Sequence, residues 1–144
     1  MVCYQDSSIG KGISMYTSTT SSVTVSVEPT YLDSESEPEK NIYVWAYRVS
    51  IENGGVDTVQ LKMRHWKITD ALGRVQEVHG PGVVGEQPIL KPGDRFEYTS
   101  GAPLSTSSGI MAGSYSMQAG DGRLFDVDIP AFSLDTPYPP RQLN

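Results

Sequence analysis

A chain of 144 residues fits one domain, because two halves would each be too small to bury a core without disulfides or metal. Its hydrophobic share of 38% includes no run of the roughly eighteen apolar residues that a spanning helix needs, which excludes that kind of membrane protein. The net charge of −6, with only 11 Lys and Arg, argues against a nucleic-acid partner, since phosphate binding relies on clustered cations.

Met1 to Ser14 has neither the basic start nor the apolar stretch of a secretory signal, so the chain reads as cytoplasmic. Cys3 stands alone and can build neither an internal disulfide nor a thiolate zinc site. Residues 1–21, rich in Ser, Thr and Gly, read as a flexible tail in which Met15 offers an alternative start to Met1. The domain is expected over residues 22–134. It opens on Val23, Val25 and Val27, which alternate with polar residues and mark a strand with one apolar face.

Asp33-Ser34-Glu35-Ser36-Glu37-Pro38-Glu39 then presents four carboxylates. A calcium loop would need Gly at its sixth position and an acid at its twelfth; Pro38 and Val44 stand there, so a solvated acidic loop is expected. Tyr43, Trp45, Tyr47, Val49 and Ile51 form the strongest core strand, ended by Asn53-Gly54-Gly55 as a turn tolerant of positive φ. In the next strand Val59, Leu61 and Met63 hold one parity, and Trp66 and Ile68 the other. This predicts a bulge near Arg64 or His65. Lys62, Arg64, Lys67 and Arg74 read as a solvated sheet face.

A turn through Ala71-Leu72-Gly73 reverses the chain into Arg74 to His79. A three-residue turn centred on Leu72 would pair His65 with His79 and Lys67 with Glu77; a four-residue turn would break that register. With Glu77 as a third ligand, His65 and His79 are candidate metal ligands. Gly80, Gly82 and Gly85 spell G-x-G-x-x-G, which in dinucleotide folds cradles pyrophosphate at a helix N-terminus. Pro88 denies a following helix and Pro81 removes an amide donor, so an architectural loop is the favoured account.

Further strands are expected over Arg95–Ser100, Ile110–Gln118 and Leu124–Ile129, the last two joined by a turn at Asp121-Gly122. Asp126 and Asp128 share a solvent face between Phe125, Val127 and Ile129. Residues 135–144 form a Pro-rich tail. No segment keeps a helical apolar repeat, and 14 Gly with 10 Pro punctuate the chain, so the fold class is all-β, an immunoglobulin-like or fibronectin type III-like sandwich. With no paired cysteines, cohesion must come from inward Tyr43, Trp45, Tyr47, Phe96, Tyr98 and Tyr115. Neither a Ser-His-Asp nor a Cys-His signature nor a nucleophile elbow is present, which favours a binding module over an enzyme.

The runs VTVSVEPTYL from Val23, YVWAYRVSIEN from Tyr43, RHWKITDALGRVQEVHGPGVVGEQPILKPGDRFEYTSG from Arg64, and FDVDIPAF from Phe125 resemble the ApaG family. The likeness extends from Ser22 to Leu134, with GVVGEQP and FEYTSG its most specific blocks. It implies a fibronectin-type sandwich, a label of cobalt and magnesium efflux or resistance without a known catalytic step, and modules that bind proteins or small ligands. The family's glycine motif, regarded as a possible pyrophosphate site, falls on Gly80, Gly82 and Gly85. The expected partners are other proteins, a second copy through exposed strand edges, or a small anion or divalent cation; no cofactor is expected.

Overall fold

A computed structural model describes residues 15–137. Their strands form two antiparallel sheets packed face to face. One sheet runs in the order β1 (Tyr16–Thr20), β2 (Val23–Tyr31), β3 (Tyr43–Asn53) and β7 (Arg95–Leu104). The other runs β5 (Val75–Pro81), β4 (Val59–Asp70), β8 (Ser108–Ala119) and β9 (Leu124–Asp135), and β6 (Ile89–Leu90) pairs with the start of β4. The all-β sandwich expected from the alternating pattern is the architecture found. No helix among the described residues is long and apolar enough to cross a membrane.

The inward parity is the predicted one. Val25 pairs with Ile51 and Val27 with Val49, and all four side chains are fully buried. Leu61, Trp66, Met111, Tyr115, Met117, Val127 and Phe132 meet them from the opposite sheet. Each such side chain contributes about 1.5–3 kcal/mol through loss of apolar surface to water. Trp45, Tyr47, Tyr98 and Tyr115 are buried as expected, whereas Tyr43 and Phe96 pack only partly buried against the core.

Several local expectations need correction. Tyr16–Thr20 is a strand rather than tail, in register with Thr24, Val25 and their neighbours through a Ser21-Ser22 turn whose φ values are +50° and +70°. That is the primed turn that matches strand twist, formed here without Gly or Asn. Asn53-Gly54-Gly55 does turn the chain, but without positive φ. Its determinant is the buried Asn53 side chain, which donates to the Asp57 and Leu90 carbonyls and accepts from the Gly55 amide. β7 and β9 also outrun their expected ends. β9 continues to Asp135 through an irregularity at Pro130 and Ala131, where a proline costs no ladder bond.

The two flanks of the sandwich differ. On one, β1 lies against β9: the Ser18 hydroxyl donates to the Asp128 carbonyl and the Asp128 amide donates to the Thr20 hydroxyl. On the other, β5 and β7 are outermost in their sheets, and the segment between β5 and β6 passes over the gap between them.

Candidate binding cleft and outer histidine cluster

The cleft begins with the bulge in β4. Leu61 pairs with Met117 and Met63 with Ser116, so Lys62 is the extra residue and the strand changes face there. The expected position, Arg64 or His65, lies two or three residues too late. The difference decides where Arg64 points. With the bulge at Lys62, Arg64 shares the parity of buried Trp66 and faces into the sandwich, half-buried, while Met63 and Lys67 face out. Arg64 is therefore not part of a solvated basic face.

The same bulge anchors the glycine loop. The Lys62 carbonyl accepts from the Gly82 amide and from Gln87 Nε2, both at 2.9 Å. Between these anchors, residues 82–88 leave the edge of β4 and return as β6. Val83 and Glu86 exchange backbone hydrogen bonds of 2.8 and 2.9 Å, closing a two-residue turn at Val84 and Gly85 with φ of +42° and +82°. Val83 is fully buried and pins this small hairpin, whereas Val84 is 55% exposed at its tip. A β-branched residue with positive φ carries a backbone cost of about 1–2 kcal/mol.

Each glycine of the motif has its own steric reason. A Cβ on Gly82 would lie 2.2 Å from the Glu86 carbonyl oxygen; one on Gly80 would lie 2.9 Å from both terminal nitrogens of Arg64. Gly85 is the second turn residue. No helix follows, and the Gly82 and Val83 amides are spent on Lys62 and Glu86, so the loop lacks the helix N-terminus on which dinucleotide folds seat pyrophosphate.

Beneath the hairpin lies a cleft of about 200 Å³, walled by Arg64 and Trp66 of β4, Tyr47 of β3, and Tyr98 and Ser100 of β7. Arg64 Nη1 donates to the Pro81 and Gly82 carbonyls at 3.0 and 2.9 Å. Among the described residues no carboxylate lies within ion-pair distance of its guanidinium. The Nε and Nη2 groups keep three further donors. Burial pushes the Tyr47 hydroxyl above its ordinary pKa, against the opposing pull of a hydrogen bond with Ser100 and of the Arg64 charge. Burial likewise raises Tyr98 and Tyr115, whose hydroxyls bond to one another. At neutral pH the cleft holds one fixed positive charge among neutral hydroxyls, an arrangement suited to a compact anion.

The opposite face of β4 and β5 carries the two histidines. The hairpin has the three-residue turn, so His65 pairs with His79 and Lys67 with Glu77, as the register centred on Leu72 requires. The imidazoles stack with centroids 4.1 Å apart and planes 9° apart. Glu77 Oε1 is 2.8 Å from His65 Nε2 and 3.8 Å from His79 Nε2. The His65 hydrogen bond holds the Glu77 carboxyl below the usual range. Among the described residues this is the group of three metal-ligating side chains that converges. The acidic loop does not: it forms 3-10 turns at Asp33–Glu35 and Pro38–Lys40, and Glu37 pairs with Lys40. Asp126 and Asp128 lie exposed on the outer face, where Asp126 accepts from Ser116. Cys3 lies outside the described residues.

Sequence reasoning thus found His65, Glu77 and His79 together and missed Arg64, Tyr47 and Ser100 as one cleft. The available signal was the i, i+2 spacing of Arg64 and Trp66, which places both on one face of a strand.

An ApaG domain model matches residues 33–119. The chain is 60% identical over 130 residues to the ApaG protein of Parvibaculum lavamentivorans and 62% identical over 130 residues to that of Paramagnetospirillum magneticum; each alignment covers 90% of this chain and all of the relative. The crystal structure of a protein from Bordetella pertussis described as ApaA superposes with a TM-score of 0.78 at 50% identity, covering 80% of this chain and 94% of that one. Glycine hairpin, cleft and histidine ribbon all lie within the matched residues, and the chain belongs to the ApaG family.

Proposed function

We propose that this domain is a non-catalytic binding module whose ligand presents a compact anionic group, a phosphate, a pyrophosphate or a carboxylate, to the cleft beneath the Val84-Gly85 hairpin. The observation that supports it is the inward Arg64, half-buried, with three free donors and no acidic partner among the described residues. A charge held inside a sandwich without a counter-ion costs stability, and an incoming anion offsets that cost. A cleft of about 200 Å³ is smaller than the roughly 300 Å³ at which pockets begin to enclose drug-sized ligands, so it suits the charged end of a ligand rather than a whole nucleotide. Cobalt or magnesium resistance, where this protein contributes to it, would then work through regulated binding.

Calorimetric titration with phosphate, pyrophosphate and ATP tests this. Saturable heat that disappears in Arg64→Met, with circular dichroism unchanged, is expected; no heat from any of the three at millimolar concentration would dismiss the reading.

A second reading, a protein partner or a second copy added as a strand, is favoured by the outermost positions of β5 and β7 on the open flank. Capture of a partner, or self-association, that is lost when proline replaces Thr99 in β7 would support it. Unchanged capture in that variant would count against it.

A further inference from the structure

The outer face of β4 and β5 carries a feature that the cleft does not use. Both histidines of the chain stand side by side there with one carboxylate between them. Neither imidazole is needed for packing: the side chains of His65 and His79 are 37% and 64% exposed, and their backbones are fixed by the β4–β5 ladder whatever the side chains do.

We propose that His65, Glu77 and His79 form a three-ligand site for a divalent transition-metal ion of the zinc or nickel class, open to solvent on its outer side. The donor atoms, two imidazole nitrogens and a carboxylate oxygen, all lie within 4.8 Å of one another. Tetrahedral zinc, with ligand bonds of about 2.0–2.1 Å, sets its donors about 3.3 Å apart. The His65–Glu77 separation of 2.8 Å is that of a hydrogen bond with a proton between the atoms; the His79–Glu77 separation is 3.8 Å. Replacing the proton by a metal ion requires one distance to open and the other to close by about half an ångström, and requires the stacked, nearly parallel imidazoles to turn so that both in-plane nitrogen lone pairs meet at the ion; χ1 and χ2 rotations of the exposed side chains supply both movements.

The ligand set also selects the ion. Imidazole nitrogen suits zinc, nickel and copper, whereas magnesium and calcium prefer all-oxygen shells. Three protein ligands leave a fourth position for water or for a donor from another molecule. Among the described residues Lys67, directly across the ladder from Glu77, opposes the site: its positive charge weakens cation binding without occupying it.

The test is zinc titration of the full chain by calorimetry near pH 7.5, read together with the imidazole proton resonances, which with two histidines can come only from His65 and His79. One equivalent of zinc is expected to bind and to shift both imidazoles, while magnesium shifts neither. Affinity should fall roughly tenfold or more in each of His65→Gln, Glu77→Gln and His79→Gln, since even losing an outer-shell partner of a metal costs about 10–100-fold. Lys67→Met should tighten binding, and Cys3→Ser should leave it unchanged. The proposal is overturned if zinc gives no saturable heat at millimolar concentration, if the three ligand variants bind as the parent does, or if binding is lost in Cys3→Ser. All of these substitutions are at surface positions or outside the described core, so retained circular dichroism separates loss of the site from loss of the fold. The anion cleft faces the other side of β4, and failure of either site leaves the other untouched.

Discussion

Gly80 lies directly against the Arg64 guanidinium: a Cβ there would stand 2.9 Å from both terminal nitrogens and 3.0 Å from the carbon that joins them. The strand residue opposite Arg64 must therefore lack a side chain if the arginine is to stay folded over the cleft. Gly80→Ala is expected to swing Arg64 away and weaken anion binding about tenfold, with a stability cost near 1 kcal/mol because a long flexible side chain can yield. Calorimetry with pyrophosphate checks the first effect and thermal unfolding the second. Gly82→Ala should behave differently. Its Cβ would meet the Glu86 backbone at 2.2 Å in a left-handed conformation, so a loss of about 2 kcal/mol or more is expected from denaturant midpoints.

Val84 occupies the first position of a turn that favours Asn or Gly. Val84→Asn creates Asn-Gly at the tip and should stabilise the domain by about 1 kcal/mol, seen as a higher Tm. If Tm falls instead, contacts of the valine side chain outweigh its backbone strain.

The Tyr98 and Tyr115 hydroxyls satisfy one another inside the core. Removing one strands the other, so Tyr115→Phe should cost about 1–3 kcal/mol. The double variant with Tyr98→Phe should cost less than the sum of the single changes, because no orphan hydroxyl remains; a double-mutant cycle in urea measures the difference. Both hydroxyls titrate well above a free tyrosine. Their folded pKa values are raised, so their contribution is complete below the unfolded value near 10 and is lost as pH rises beyond it.

Asp70 organises the β4–β5 turn. Partial loss of solvent raises the carboxyl pKa, but the backbone bond from Arg74, the Arg74 side chain and the Leu72 amide outweigh that and hold it low. The folded value is depressed, so the stabilisation is present above the ordinary carboxylate pKa and disappears as pH falls through the folded one. Asp70→Ala should lower Tm at neutral pH, and the gap from the parent should narrow in scans carried below pH 4.

Most of the core was readable from period-two alternation. Trp45 to Ile51 and Val23 to Val27 bury the residues that the pattern assigns, with Tyr43 only partly buried at the strand's start, and the Leu72 turn delivers the histidine pairing. What escaped has physical causes. β1 is a polar Ser/Thr strand held by hydroxyl bonds to β9, and its turn uses two serines with positive φ, so neither apolar alternation nor a glycine marks it. Met63 is apolar yet 42% exposed, so in the sequence the first parity runs one residue too far and points to a bulge later than the one at Lys62. That single misassignment hid Arg64 and, with it, the cleft, since a one-residue register change moves a side chain to the other side of a sheet.

The unequal flanks give the molecule a front and a back. Where β1 is laced to β9 by serine and threonine hydroxyls, the molecule resists opening; where β5 and β7 stay apart beneath a seven-residue excursion, a hairpin pinned at Val83 spans the gap. Amide exchange should therefore be graded across the sandwich, slow at the β1 side and faster at the glycine hairpin. Changes that enlarge or decorate residues 82–88 can retune what is recognised while the seam opposite keeps the domain folded.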